Sequence, residues 1–254
     1  MAYAKKSFGQ HFLTNQDIIL KIIDQLKSIE IENFCEVGPG KGALSYHLLD
    51  KIPNYKLIEA DKDMVAHLEQ HIPKIKDHIY QHDFLKFNLK SLFEGKAFLL
   101  FGNYPYNISS QIVIRTLENS NQIPYMIGMF QKEMALRIVS SYGSKDYGPL
   151  SILSSLMYDR KILFDVNKEN FSPPPNVQSA VILMKRREDR ISIEFYTKFQ
   201  PFVRASFQYR RKTLRNNLKG FVRNTNLLND PYFTIRPEDV EPTKFVELYT
   251  LLMQ

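Results

Sequence analysis

Two short stretches carry residue types that could do chemistry. In FGNYPYNIS, Phe101 to Ser109, an amide, Asn103, is followed by two tyrosines on either side of a proline. A turn that only reverses the chain would usually draw on Gly, Asp or Ser. An exocyclic amine on a nucleobase is a poor nucleophile, because its lone pair is delocalised into the ring. The Asn103 amide oxygen and a backbone carbonyl of the turn could accept its two hydrogens. That would aim the lone pair at an electrophile and stabilise the developing positive charge. Pro105 fixes the backbone. Tyr106 offers a ring on which a base can stack, worth roughly 1–3 kcal/mol. The plain alternative is an Asn-x-Pro turn with Tyr106 in the core.

The second stretch is EVGPGKG, Glu36 to Gly42, between a strand and a helix. Gly38 and Gly40 let backbone approach a ligand, and a helix N-terminus favours anionic groups. The spacing is G-x-G-x-G, not the dinucleotide G-x-G-x-x-G. Two acids follow. Glu59, in LIEAD, ends the next strand, where a carboxylate can accept both hydroxyls of a ribose. Asp83, in QHDF, follows a third strand and can accept from an adenine amino group. Singly, Glu59 reads as a solvated strand end and Asp83 as a helix cap. In this order with the glycine turn, they favour a nucleoside ligand, either a nicotinamide cofactor or S-adenosylmethionine.

The elements that must position these residues alternate. Asn15 can cap a helix carrying Ile18, Ile19, Ile22, Ile23 and Leu26 on one face. NFCEV, YKLIEA, HIYQ, AFLLF and PYMIGMF read as strands; GALSYHLLDK, DMVAHLEQH and SQIVIRTLEN read as the helices between them. That rhythm predicts an α/β, Rossmann-like parallel sheet with helices on both faces. KILFDV and QSAVILMKR are two further strands around the rigid turn FSPPPN.

Composition sets outer bounds. The chain has 254 residues, 44% of them hydrophobic, and a formal net charge of +7. The single cysteine, Cys35, can form no intramolecular disulfide, so a reducing cytoplasmic setting fits; it reads as a small buried strand residue. The N-terminus shows no signal peptide, and no run reaches the ~20 apolar residues of a membrane span. The six histidines show no metal-ligand spacing, so no metal is expected. From Phe195 to Asn229 there is no acid, but there are eight cations: Lys198, Arg204, Arg210, Arg211, Lys212, Arg215, Lys219 and Arg223. Val203, Phe207, Leu214, Leu218 and Phe221 recur at helical spacing, and Arg211, Arg215, Lys219 and Arg223 form a neighbouring stripe at steps of four. We therefore expect a catalytic domain over 1–187 and a small all-α basic domain over 188–254. The cations Arg204, Arg211, Lys212, Arg215 and Lys219 are its candidate RNA contacts.

N-x-P-Y after a fourth strand resembles the motif of amino-group methyltransferases acting on nucleobases. FGQHFL, EVGPGKG, FGNYPYNIS, FQKE, FSPPPNVQSAV and RRKTLRNNL, in this order, closely resemble the ribosomal RNA adenine dimethyltransferases, and most of all their small-subunit branch. The likeness covers almost the whole chain; FGQ-x-FL and F-x-PPP-x-V-x-SAV are its most specific parts. The resemblance implies S-adenosylmethionine as cofactor. As substrate it implies two adjacent adenosines in a hairpin near the 3′ end of small-subunit (16S) rRNA, each dimethylated on N6. Partners would be that rRNA and the small-subunit precursor, met by a monomer away from membranes. By resemblance, His11, Leu13, Gly38, Glu59, Asp83 and Asn103 touch the cofactor, and Tyr106 and Phe171 sandwich the target base. The chain departs from the family pattern at His11 (commonly Asn), at Tyr104 (usually Leu), and at Asn176 and Gln178 (usually Lys and Asp).

Two rival readings remain open from the sequence: the same chemistry on large-subunit rRNA, and a non-catalytic RNA-binding assembly factor with this fold. A nicotinamide dehydrogenase is more remote, because NYPYN offers no hydride chemistry.

Overall fold

Asn15 caps the first helix. Its side-chain oxygen accepts from the N–H groups of Asp17 and Ile18 at 2.9 and 3.3 Å, and α1 (Gln16–Lys27) buries Ile19, Ile22, Ile23 and Leu26. The computed structural model describes residues 10–253, so Phe8 and Gly9 of the FGQHFL motif, and most of the N-terminus read above, lie outside the described residues.

The strands run in chain order as β1 (Phe12–Leu13), β2 (Asn33–Val37), β3 (Asn54–Glu59), β4 (Ile79–Gln81), β5 (Leu99–Asn103), β6 (Tyr125–Gln131), β7 (Tyr158–Val166), β8 (Phe171–Ser172) and β9 (Ser179–Arg186). Seven form one sheet, ordered β4-β3-β2-β5-β6-β9-β7, and β1 pairs with β8 in a separate ribbon. Pairings from β4 through β6 are parallel, and β9 joins antiparallel to β6. All five β2 residues are buried, as expected where helices cover both faces of a parallel sheet. The chain steps outward from β2 to β3 and β4, then returns to place β5 on the other side of β2. The carboxyl ends of β2 and β5 therefore flank a topological switch point, where open α/β sheets take their ligands.

The helix expected over GALSYHLLDK is shorter: α2 spans only Ser45–Leu48. Gly42 has φ +84°, a left-handed conformation that a right-handed helix cannot include. The other elements of this half are α3 (Lys62–His71), capped by Asp61, and α4 (Ser109–Glu118).

The chain divides into two compact units. One holds the described residues through Ala135 with Lys161–Lys185; the other holds Leu136–Arg160 and the chain from Arg186 onward. The second crossing lies beside the boundary expected after residue 187, but the segment 136–160 joins the second unit, which the sequence reading did not assign to it. The remaining α-helices among the described residues are α5 (Lys132–Val139), α6 (Pro149–Ser155), α7 (Ile193–Ser206), α8 (Leu214–Leu218) and α9 (Pro242–Leu252). In the second unit, Tyr196, Phe199, Phe202, Val203, Leu214, Leu218 and Phe245 are buried together.

The expected basic stripe is not a feature of one helix. Helix α8 has only five residues; Arg211 precedes it and Arg223 follows it, so steps of four do not place them on a common face. Arg215 is held by backbone. Its guanidinium, half-exposed, donates to the carbonyls of Leu228, Asn229 and Asp230 at 2.8, 3.1 and 3.3 Å, so it ties down the next segment. Arg204, Arg211, Lys212 and Lys219 are exposed.

Candidate active site

A cavity of about 580 Å³ opens at the carboxyl ends of β2, β3 and β5, within the usual size of small-molecule sites. Gly38, Gly40, Glu59, Asp83, Asn103 and Tyr106 all line it, as do His11 and Leu13. The sequence had scattered these residues over about a hundred positions; the strand ends bring them together.

The glycine turn and Glu59 form one hydrogen-bonded unit. Glu59 closes β3 and is buried; its Oε2 accepts from the Gly40 N–H at 3.2 Å and its Oε1 from the Asp61 N–H at 2.9 Å. Burial pushes its carboxyl up, and those N–H bonds pull it back down. Glu59 is therefore not a solvated strand end. Gly40 has φ +55°, and a Cβ there would lie 3.0 Å from the Phe12 ring, so only glycine lets the β1 ribbon close over the turn. Asp83 lines the cavity, and its Oδ1 accepts from the Leu85 N–H at 2.9 Å.

Asn103 is the last residue of β5 rather than the first of the following loop. Its Nδ2 donates to the His11 carbonyl at 2.8 Å. Because that acceptor takes the amide nitrogen, Oδ1 remains the acceptor end of the side chain. His11 is tied at two further points: Nδ1 donates to the Pro173 carbonyl at 2.9 Å, and the imidazole stacks on Tyr106 with centroids 5.3 Å apart and planes 27° apart. The Tyr106 hydroxyl bonds Ser179 Oγ at 2.7 Å, and burial raises its pKa, so the phenol stays neutral. His11 thus joins the N-terminal motif, the NYPY turn and the FSPPP turn.

Phe171, expected opposite Tyr106 across the target base, is not among the residues that line the cavity. It is 4% exposed and belongs to the main hydrophobic cluster. In β8 it pairs with Leu13, and alternation along the strand turns it inward while its neighbour Ser172 faces the cavity. The ring facing Tyr106 is His11.

Tyr104 also points inward. It is 1% exposed and packs against Phe130 and Gly128, where an added Cβ would lie 2.3 Å from the Tyr104 ring. Its hydroxyl is buried without a hydrogen-bond partner. An orphaned hydroxyl costs stability, so Tyr104→Phe is expected to raise unfolding free energy by about 1 kcal/mol. Chemical denaturation checks this; a destabilised variant would show that the hydroxyl has a partner.

Glu36 was missed by the sequence reading, although an acid inside the apolar strand NFCEV was a visible signal. It is 2% exposed and lines the cavity floor. The hydroxyls of Ser45 and Tyr55 both donate to its Oε2, the former at 2.7 Å. Burial raises its carboxyl to about 7; the two hydroxyl bonds lower it, and Glu59 adds a smaller rise. Between the ordinary value of 4.5 and about 7, the folded chain keeps a proton that the unfolded chain releases. Its contribution to stability is therefore complete below the ordinary value and is lost as pH rises through about 7. The full swing is about 3 kcal/mol. Glu36→Gln should flatten the pH dependence of the thermal midpoint across this window; equal slopes in both proteins would contradict it. Cys35, beside it, is buried and its thiol is pushed far up, so it is chemically inert.

These residues fit a nucleoside with a cationic tail. The cavity offers carboxylates at Glu59 and Asp83, an amide at Asn103, and glycine backbone close to the floor. Among the described residues, no group of three or more His, Cys, Asp or Glu side chains could hold a metal ion.

Residues 1–241 match the family described as "Ribosomal RNA adenine dimethylase". A relative from Flavobacterium johnsoniae, named ribosomal RNA small subunit methyltransferase A, is 47% identical over 246 residues, covering 96% of this chain and 94% of its own. Among solved structures, a dimethyladenosine transferase from Plasmodium falciparum superposes with a TM-score of 0.77 at 23% identity, covering 95% of this chain and 97% of that one. The 23S rRNA methyltransferase ErmE superposes at 0.64 with 22% identity, covering 96% and 100%. At those identities the two structures speak for the fold alone, an α/β, Rossmann-like sheet, as expected.

Proposed function

Because this chain belongs to the ribosomal RNA adenine dimethylase family, we propose that it moves methyl groups from S-adenosylmethionine to N6 of two adjacent adenosines in a hairpin near the 3′ end of small-subunit rRNA, dimethylating each. The observation that carries this reading is Asn103, whose amide is held by the His11 carbonyl with Oδ1 left to accept, in the cavity shared with Glu59 and Asp83.

When bound, the cofactor supplies an electrophilic methyl group on a sulfonium. Glu59 would hold its ribose hydroxyls, Asp83 its adenine amino group, and Gly38, Gly40, His11 and Leu13 the remaining wall. Asn103 Oδ1 and a carbonyl of the NYPY turn take the hydrogens of the target amine and direct its lone pair. The developing positive charge on nitrogen is stabilised by these oxygens, placed before the reaction begins. The proton leaves after methyl transfer to water, so no tuned general base is required. Tyr106 gives the base a face to stack on; His11 backs the other face, and Phe171 supports the wall from within the core. The exposed cations Arg204, Arg211, Lys212 and Lys219 of the second unit meet phosphates, and Arg215 keeps its segment in place.

The small-subunit target is favoured over the large by relatives at 42–47% identity that carry the small-subunit name. The chain would act as a monomer on the small-subunit precursor in the cytoplasm; no helix among the described residues is long and apolar enough to cross a membrane. The test is transfer of labelled methyl groups to isolated small and large ribosomal subunits lacking the modification. Label in the small subunit alone is expected. Label in the large subunit alone favours the rival target, and no label in either favours the assembly factor.

A further inference from the structure

One exposed aromatic side chain has no part in the chemistry above. Tyr209 is 57% exposed, in the turn between α7 and α8, within the run Gln208-Tyr209-Arg210-Arg211-Lys212. Single exposed aromatic side chains are ordinary; the support beneath this one is not. The Lys212 N–H donates to the Tyr209 carbonyl at 2.9 Å and closes a four-residue turn. Asn217, 3% exposed in α8, grips that turn from below. Its Oδ1 accepts from the Tyr209 N–H at 2.8 Å, and its Nδ2 donates to the carbonyls of Tyr209 and Lys212, each at 3.2 Å. One buried amide thus uses its acceptor and its donor nitrogen to fix the backbone on both sides of two arginines. Arg210 folds back to the Lys145 carbonyl at 2.9 Å, whereas Arg211 and Lys212 are exposed. No acid occurs from Phe195 to Asn229 to neutralise them.

An exposed ring on a held backbone, beside exposed cations in an acid-free stretch of chain, matches the two needs of single-stranded nucleic acid, a stacking face for a base and positive charge for its phosphates. Holding the ring's backbone in advance reduces the ordering cost of binding. We propose that Tyr209 is a stacking platform for one unpaired base of the RNA, with Arg211 and Lys212 engaging the adjacent phosphates. This rests on the reading of the chain as an rRNA-modifying enzyme and adds to it a base contact outside the catalytic cavity.

The test measures binding of the full chain to three labelled RNAs by fluorescence anisotropy: a hairpin with an unpaired loop, a fully paired duplex, and the same hairpin with abasic loop nucleotides. Tyr209→Ala should weaken binding to the first by about 5- to 150-fold, the range that one base stack converts to, and leave the other two unchanged. Tyr209→Phe should match the wild type. The salt dependence should be the same in Tyr209→Ala, because no charge is removed, and shallower by about 0.7 per lost contact in the double variant Arg211→Ala, Lys212→Ala. Wild-type affinity of Tyr209→Ala for the unpaired loop overturns the stacking role alone, as does an equal loss on the duplex. A wild-type chain that binds none of the three overturns the stacking role and the functional reading together.

Discussion

Asn103→Ala is expected to slow single-turnover methylation by roughly a hundredfold or more, the usual size of losing a preorganised transition-state contact. RNA affinity should hardly change, because the contact strengthens only as positive charge develops on the amine. The variant also loses the bond to the His11 carbonyl, so the His11–Tyr106 stack should be checked by the ring-current shift of the His11 protons. A folded Asn103→Ala enzyme with an intact stack and a wild-type rate would leave FGNYPYNIS as an ordinary turn.

Glu59→Ala should weaken S-adenosylmethionine binding by about 10- to 150-fold, the loss of one charge-assisted hydrogen-bonded partner. The carboxylate acts twice: it would take the ribose hydroxyls, and it already holds the N–H groups of Gly40 and Asp61. Glu59→Gln retains an acceptor but loses the charge, so its affinity should fall between the other two. Calorimetry on folded protein measures all three. Equal affinity in Glu59→Ala and wild type would remove Glu59 from the cofactor site.

The alternation of strands and helices was legible because β2, β3, β5 and β6 are short apolar runs that end at glycines, acids or an amide. The same punctuation marked Gly38, Glu59, Asp83 and Asn103, since parallel strands gather their carboxyl ends at one edge. What stayed hidden depends on long-range register. Phe171 turns inward only because β8 pairs with β1 so that Leu13 lies opposite it, and nothing local to FSPPPN specifies that pairing. The basic stripe failed for a related reason: steps of four assume an unbroken helix, but the Asn217 amide stabilises a turn where that helix would have run. Tyr104 could not be oriented from sequence because the space for its ring is supplied by Gly128 on the neighbouring strand. His11 was placed at the cofactor by resemblance; its stack on Tyr106 depends on an imidazole where the family commonly has an amide.

The most direct measurement of what this chain does is primer extension across small-subunit rRNA from a strain lacking its gene. Dimethylation of N6 blocks base pairing, so reverse transcriptase should stop at two adjacent adenosines near the 3′ end in wild-type rRNA. It should read through in the deletion strain and stop again when the wild-type gene, but not Asn103→Ala, is restored. Unchanged stops in the deletion strain would contradict the proposed activity.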